Sequence, residues 1–540
     1  SRERPAGEPL RIVVHPGQYF LETTLQLTAR DAGLSIEAAQ PGTTTLLGGR
    51  AVTGWEPDGE RFYAADLPAV RAGTWDFRFL VVNGRLCDRA RLPAEDGFEH
   101  ENEWTVPWMS TTGGGWKRKP TEAELTTLQY RAGDLGPWLE TRNAEVTVYH
   151  MWDESLVPVK AVDHATRTIT FGSPAGHPPG AFGRKKYVVW NTREGLTQPG
   201  QWYLDRARGK VVYWPRPGED MRQATALAPT LETLISIAGD NQAKARDITV
   251  RGLTLALTNT PCKAGGFGAG HYRGAIEAAN AENLTLERLE IRHVGGQGMK
   301  LQNVNGSRIT GCQVHHLGAC GIRISGNDTT VSGCHLHNIG LAFPSAIALS
   351  AGGRGGSGLL LTDNVIHDTP YSGITCGGDN HRIERNLIYR CMRVLHDGAA
   401  IYVSMCRKIR IARNVARDIA TAGPGYGASA YYLDEQAEEC LVEDNVAVDV
   451  EHPSHNHMAW NNTLRGNVFV SSGNMKLSFA KSRDYTLTDN TLVLAGELAI
   501  TTPEAIIAER GNRVFRGTAP AGAEAPLEIL AALPLGAAPK

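Results

Sequence analysis

The chain has 540 residues, 55 Lys+Arg against 57 Asp+Glu and only 7% aromatic residues, a near-neutral balance that argues against a polybasic nucleic-acid binder. Hydrophobic residues at 41% and charged residues at 21% exclude wholesale disorder and leave material for a large core. No apolar run approaches the roughly 18 residues of a membrane helix, and 60 glycines with 28 prolines imply many tight turns.

Leu10–Leu27, containing Val13-Val-His-Pro-Gly-Gln-Tyr-Phe20, reads as the opening rung of a solenoid whose first rungs occupy residues 1–51. From 52 to 235 the pattern changes. Ten of the eleven tryptophans lie between Trp55 and Trp214, and alternating segments such as Val146–His150 and Tyr187–Trp190, with turns such as Arg208-Gly209, predict an inserted antiparallel β-sandwich. Within it, Phe98–Lys119 sets Trp104, Trp108 and Trp116 among polar residues and Thr-Thr-Gly-Gly-Gly. That loop suits either a lid over a sugar or plain surface, and Trp108 is its candidate substrate-binding ring. Ile248–Leu257 resumes the coil, which is expected to run over 236–517 and to leave 518–540 as a tail.

The second half repeats a short phrase: Gly311-Cys-Gln-Val-His, Gly333-Cys-His-Leu-His, Asp363-Asn-Val-Ile-His, and so on to Gly511-Asn-Arg-Val-Phe. Its anchors, Cys312, Cys334, Asn364, Asn386, Asn414, Asn445, Asn467, Asn490 and Asn512, are separated by 22, 30, 22, 28, 31, 22, 23 and 22 residues. A base period of 22 with apolar-x-apolar pieces suits three-stranded coils of a parallel β-helix, and a buried Asn at one fixed turn suits a side-chain ladder. The Leu-x-x-Leu-x-Leu consensus of leucine-rich repeats is absent. Inward pairs are expected at Met299/Leu301, Ile322/Ile324, Ile347/Leu349, Ile374/Cys376 and Ile401/Val403. The column His315, His337, His367, Tyr389 and Arg417, three residues past successive anchors, reads as an outward stack. Nine cysteines without a Cys-x-x-Cys pair read as buried free thiols.

The loops before the second strand of a rung read as enlarged at Gly340–Ser345, Arg390–Gly398, Asp418–Gly427 and Asp449–His457, and the spacing rises above 22 across the first three. Long loops gathered on one side are where a groove would be built. Three neighbouring segments carry chemistry there: Leu395-His-Asp-Gly-Ala-Ala-Ile-Tyr402, Ala430-Tyr-Tyr-Leu-Asp-Glu435 and His452-Pro-Ser-His-Asn-His-Met-Ala-Trp-Asn461. Glycoside hydrolysis needs one carboxyl to protonate the leaving oxygen and a second to attack or to activate water. Asp397 and Asp434 are the expected pair, with Glu435 as a competitor. On one straight strand the two would stand on the order of 20 Å apart, so the loop bearing Asp397 must fold back. His396, Tyr402, Tyr432, His455, His457, Trp460 and Asn461 are the expected substrate contacts, although Trp460 alternates with Met458 and equally suits a place inside the coil. No metal or cofactor is expected.

Asp397-Gly-Ala-Ala-Ile-Tyr402 followed by Tyr431-Tyr-Leu-Asp-Glu435 resembles the paired motif of bacterial right-handed parallel β-helix glycosidases of the pectate-lyase-like type, closest to glycoside hydrolase family 141. In the insertion, Phe79-Leu-Val-Val-Asn-Gly-Arg85, Arg89-Ala-Arg-Leu-Pro93 and Glu194–Asp205 with Val212-Tyr-Trp-Pro215 are similar to that family's sandwich. The resemblance spans about 10–515. It implies an all-β fold, a secreted (extracellular or periplasmic) hydrolase of plant-type or other complex polysaccharides, with fucosidase and xylanase activities both represented, and an aspartate pair carried over to Asp397 and Asp434. Glu435 stands where a second Asp is expected, and Gln201 where Glu is usual. Two other classes fit the same fold. One is a polysaccharide lyase or uronan epimerase, for which Arg382, Arg390, Arg393 and Lys408 are the basic candidates; the other is a non-catalytic carbohydrate-binding β-helix. A carbohydrate is the expected partner, with neither nucleic acid nor membrane, and nothing in the sequence sets an oligomeric state.

Overall fold

Every rung contributes one short strand to each of three parallel sheets, because each rung holds three apolar-x-apolar segments separated by bends. The computed structural model describes residues 9–109, 114–240, 242–419 and 426–517; the expected tail and part of the Asp418–Gly427 loop lie outside them. Sheet A runs from Leu10–Val14 to Ile506–Arg510, sheet B from Gly17–Phe20 to Arg513–Arg516, and sheet C from Leu25–Thr28 to Leu498–Thr501, with 13, 13 and 14 strands among the described residues. This is a right-handed parallel β-helix within an all-β chain, as expected. No helix among the described residues is long and apolar enough to cross a membrane.

Inward positions stack in columns along the coil. One runs Ile276, Met299, Ile322, Leu349, Ile374, Ile401, Tyr431, Ser454, Leu477, and burying each large apolar side chain contributes about 1.5–3 kcal/mol. The expected pair Ile347/Leu349 is displaced by one step: Leu349 and Ala351 pair with Ile322 and Ile324, while Ile347 is buried in the bend before the strand. Tyr431 enters the interior because its hydroxyl donates to the Asn414 and Val446 carbonyls at 3.1 and 2.9 Å.

The corner from sheet A to sheet B is one left-handed residue followed by the anchor. Gly311, Gly333, Gly466 and Gly511 hold that position, but so do Asp363, Arg385, Arg413, Asp444 and Asp489, so glycine is favoured there without being required. Behind it the anchor amides form a ladder. Asn364, Asn386, Asn414, Asn445, Asn467 and Asn490 each donate through Nδ2 to the Oδ1 of the next at 2.9–3.0 Å. Each Oδ1 also accepts the preceding anchor's backbone N–H, as from Asn414 to Asn445 at 2.9 Å. On sheet B, His315, His337 and His367 stack with centroids 4.9 Å apart and Tyr389 continues the stack at 4.7 Å. All nine cysteines are free thiols, and only Cys262 is not fully buried.

The corner from B to C is the variable one. The insertion leaves there, after Thr44–Leu47 of sheet B, and returns as Ile235–Ala238 of sheet C beside Leu25–Thr28. Its neck is closed by Gly49–Val52 antiparallel to Ala226–Pro229, and it holds further, largely antiparallel sheets with their own cores around Trp55, Trp75 and Trp202 and around Tyr130, Val146 and Tyr187. It therefore grows from the same corner as the long loops.

Asn445→Ala is expected to orphan the Asn414 backbone N–H and one of its two Nδ2 hydrogens inside the coil, the other staying on Ile383 O, costing about 1–3 kcal/mol for each buried donor left unpaired. A lowered denaturant midpoint with an unchanged m-value measures it.

Candidate active site

In sheet C the outward residues of successive rungs stand in one column: Lys300, Arg323, Ser350, Thr375, Tyr402, Tyr432, His455, Ser478. Rungs stack about 4.8 Å apart, so Tyr402, Tyr432 and His455 are direct neighbours. The Tyr402 and Tyr432 rings meet edge to face at 5.0 Å, and Tyr432 meets His455 at 4.3 Å. Each tyrosine carries one carboxylate. Tyr402 Oη donates to Asp434 Oδ2 at 2.6 Å, and Tyr432 Oη donates to Asp397 Oδ1 at 3.1 Å.

Asp434 follows Leu433, the last residue of its strand, and His457 Nδ1 stands 2.8 Å from its Oδ1. Asp397 precedes the strand Gly398–Arg407 and is left-handed, with φ 59°. Five straight residues from Asp397 to Tyr402 would cover about 17 Å at about 3.3 Å per residue, beyond reach of a tyrosine on the Tyr402 row. The chain instead bends at Asp397, just before the strand, and Ala399, Ala400 and Ile401 are buried in succession, so the in-out alternation is broken where the strand begins. Tyr371, fully buried one rung earlier, donates its hydroxyl to the Asp397 carbonyl at 2.7 Å and fixes the turn.

Burial pushes the Asp397 carboxyl up to about 7, and the Asp434 charge pushes it further the same way against the Tyr432 hydrogen bond. Glu435 is raised by burial and then by Asp434, with His457 and Lys481 opposing. His455 is driven down to about 3, chiefly by burial.

The remaining expected residues divide. His396 is buried next to Asp397 with Nδ1 unpartnered among the described residues, and it is lowered to about 4 by burial and then by Arg184. Trp108 is half-buried in the insertion, packed against Trp116, Trp152, His177 and Phe182. Trp460 and Asn461 are not brought to the carboxylates. The chain turns at Met458, Ala459 takes the interior place, and Trp460 bridges Glu438 and Arg483 with the guanidinium 4.9 Å from its ring. Asn461 is an exposed left-handed turn residue.

Sequence reasoning missed Tyr371 and the insertion's contribution. Met151 accepts the His396 N–H at 3.1 Å, and Glu154 accepts the Ser345 N–H at 2.7 Å. Trp152-Asp-Glu154, paired carboxylates beside a tryptophan, was the available signal. Two cavities open elsewhere and are not lined by Asp397 or Asp434. One of about 480 Å³ borders the buried Glu145, whose charge is matched by Arg78, Arg89 and Arg206. Another of about 390 Å³ lies over Glu277 and Lys300.

The model of the right handed beta helix region matches residues 274–469. Among solved structures, one titled a glycoside hydrolase matches with 21% identity over 85% of this chain and 88% of its own, at a TM-score of 0.71. The structure of XylC with xylose matches with 12% identity over 94% and 81%, at 0.53. No curated protein matches the sequence. The likeness to these structures is one of fold.

Glu154 is raised from 4.5 to about 8 by burial and then by Asp153, so the folded protein holds a proton that the unfolded chain releases. Stability from this group is complete below about pH 4.5 and is lost as pH rises through 8. Glu154→Gln is expected to flatten the fall of the melting temperature across that window.

Proposed function

We propose that the chain is a glycoside hydrolase in which Asp397 and Asp434 act as the carboxyl pair. The observation that carries this reading is the difference between two interacting carboxylates on adjacent rungs. Asp397 keeps its proton to about pH 7, which suits a general acid for the leaving oxygen. Asp434 accepts Tyr402 Oη and faces His457 Nδ1; this orients it as nucleophile or base. Hydrolysis of a glycosidic bond asks for that division of labour. His457 steadies Asp434, Tyr432 steadies Asp397, and Glu435 stands at the edge of the pair.

Polysaccharide hydrolysis in a secreted setting, with fucosidase-like or xylanase-like specificity as in family 141, is the finer form of the proposal. A lyase or epimerase is less favoured because its basic candidates are engaged: Arg382 with Glu384, Arg390 with Asp368, Arg393 with Asp418 and Lys408 with Glu439.

Asp397→Asn and Asp434→Asn are each expected to lower kcat/KM on nitrophenyl glycosides or plant polysaccharides by roughly 10²–10⁴-fold. Reducing sugar lost in both variants supports hydrolysis, whereas an unsaturated uronide product overturns it. Wild-type kcat/KM should fall above about pH 7 as Asp397 ionises. In Tyr432→Phe, which removes a hydrogen bond that lowers the Asp397 pKa, that alkaline limb should move upward. A limb that falls on the acid side of 7 instead would reassign Asp397 as the base.

A further inference from the structure

The turn of the insertion at residues 150–154 is docked on the site at two points. Met151 O receives the N–H of His396, the residue before Asp397, and the Glu154 carboxyl receives both Ser345 N and Ser345 Oγ, at 2.7 and 3.3 Å. Between these clamps lies Asp153. It is 5% exposed, its Oδ2 is 3.5 Å from His177 Nε2, and its Oδ1 has no partner among the described residues. The hydrogen bond from His396 to Met151 sets Asp153 two residues along the chain from the contact that holds the residue before Asp397, and burial, followed by the charges of Asp397, Asp434 and Asp153, raises the Tyr371 hydroxyl. Among the described residues Nδ1 of His150, His177 and His396 also lacks a partner; the His150 and His177 rings meet at 5.3 Å, and His177 is the ring that faces Asp153. A buried acceptor left without a donor costs about 1–3 kcal/mol, and such groups grouped at a candidate site mark the place of a ligand that supplies hydroxyls.

Two further features limit that ligand. Trp108 and Trp152 pack edge to face at 5.4 Å, and Trp152 meets Phe182 at 4.5 Å, giving the neighbouring wall a half-buried aromatic surface. Upstream, residues 262–273 roof the outward column. Arg323 Nη2 donates to Gly268 O at 2.9 Å, Lys300 Nζ donates to Gly270 O at 3.1 Å, and Phe267 meets Tyr371 edge to face at 6.2 Å. A polymer lying along sheet C would collide with this roof.

We propose that Asp153 is a sugar-binding residue of the site, accepting hydroxyls of a single neutral sugar at a chain end, so that the insertion supplies the pocket for the terminal residue and cleavage is exo. The sugar is neutral because a uronate or sulfate would bring another negative charge to Asp153 and Asp434. This rests on the hydrolase reading above.

The test measures binding and cleavage separately. In the Asp434→Asn background, free neutral monosaccharides (xylose, fucose, galactose, glucose) and glucuronate are titrated by tryptophan fluorescence, with and without Asp153→Ala; Asp153→Asn, of the same shape, serves as the second variant, and thermal melts check folding. Expected is binding of a neutral sugar, little of glucuronate, and at least tenfold weaker binding in both Asp153 variants. In the wild type, the matching polysaccharide should release monosaccharide from the first time point. Undiminished binding in the Asp153 variants, no neutral sugar bound, preference for glucuronate, or an early ladder of oligosaccharides each overturns the inference. Failure of the hydrolase reading looks different: a neutral sugar binds in an Asp153-dependent way while no glycoside is cleaved.

Discussion

Parallel strands stacked in register, one rung about 4.8 Å above the next, are the constraint on which the rest of this structure depends. The asparagine ladder holds that register at the A-to-B corner, because each amide bonds the anchor of the next rung and a backbone carbonyl of the preceding one. A slipped rung would break two buried hydrogen bonds and carry its apolar residues out of their column. With the register secured, residues far apart in sequence become lateral neighbours, as Tyr402, Tyr432 and His455 do.

Because the A-to-B corner is committed to the ladder, length variation collects at the B-to-C corner. The insertion, the 262–273 segment and the loops bearing Ser345, His396 and Asp397 all leave from it, which is why Glu154 meets Ser345 and Met151 meets His396. The same crowding raises the electrostatic stakes. Burial alone lifts the Asp397 carboxyl, and a neighbouring charge lifts it again, while tyrosine hydroxyls satisfy the oxygens that water cannot reach. A site that costs stability through buried acids can be kept where a long, separately stabilised coil carries it.

Much of the coil was legible because stacking leaves periodic traces: the anchors from Asn364 to Asn512, the inward pairs such as Ile401/Val403, and the outward His315/His337/His367 stack all follow from one repeat. Legibility failed where periodicity does. Ile347 was placed one step off because a long loop hides where the strand begins. Trp460 alternates correctly with Met458, yet the left-handed turn at Met458 carries it away from the site. Tyr371 and Asp153 had no repeat position to announce them, and the insertion reaches the coil through contacts between segments far apart in sequence, Met151 with His396 and Glu154 with Ser345.

Local chemistry recurring every 22 residues therefore determined the parallel coil, its buried asparagines and the rows on which Asp397 and Asp434 sit, since a repeat that cannot bury its own apolar face must stack on its neighbours. Only the tertiary structure decided how those rows meet. The left-handed bend at Asp397 leaves its carboxylate within reach of Tyr432, and the docking of the insertion sets Met151 against His396, because both depend on one loop's path against another and neither is written in the spacing of residues along a single strand.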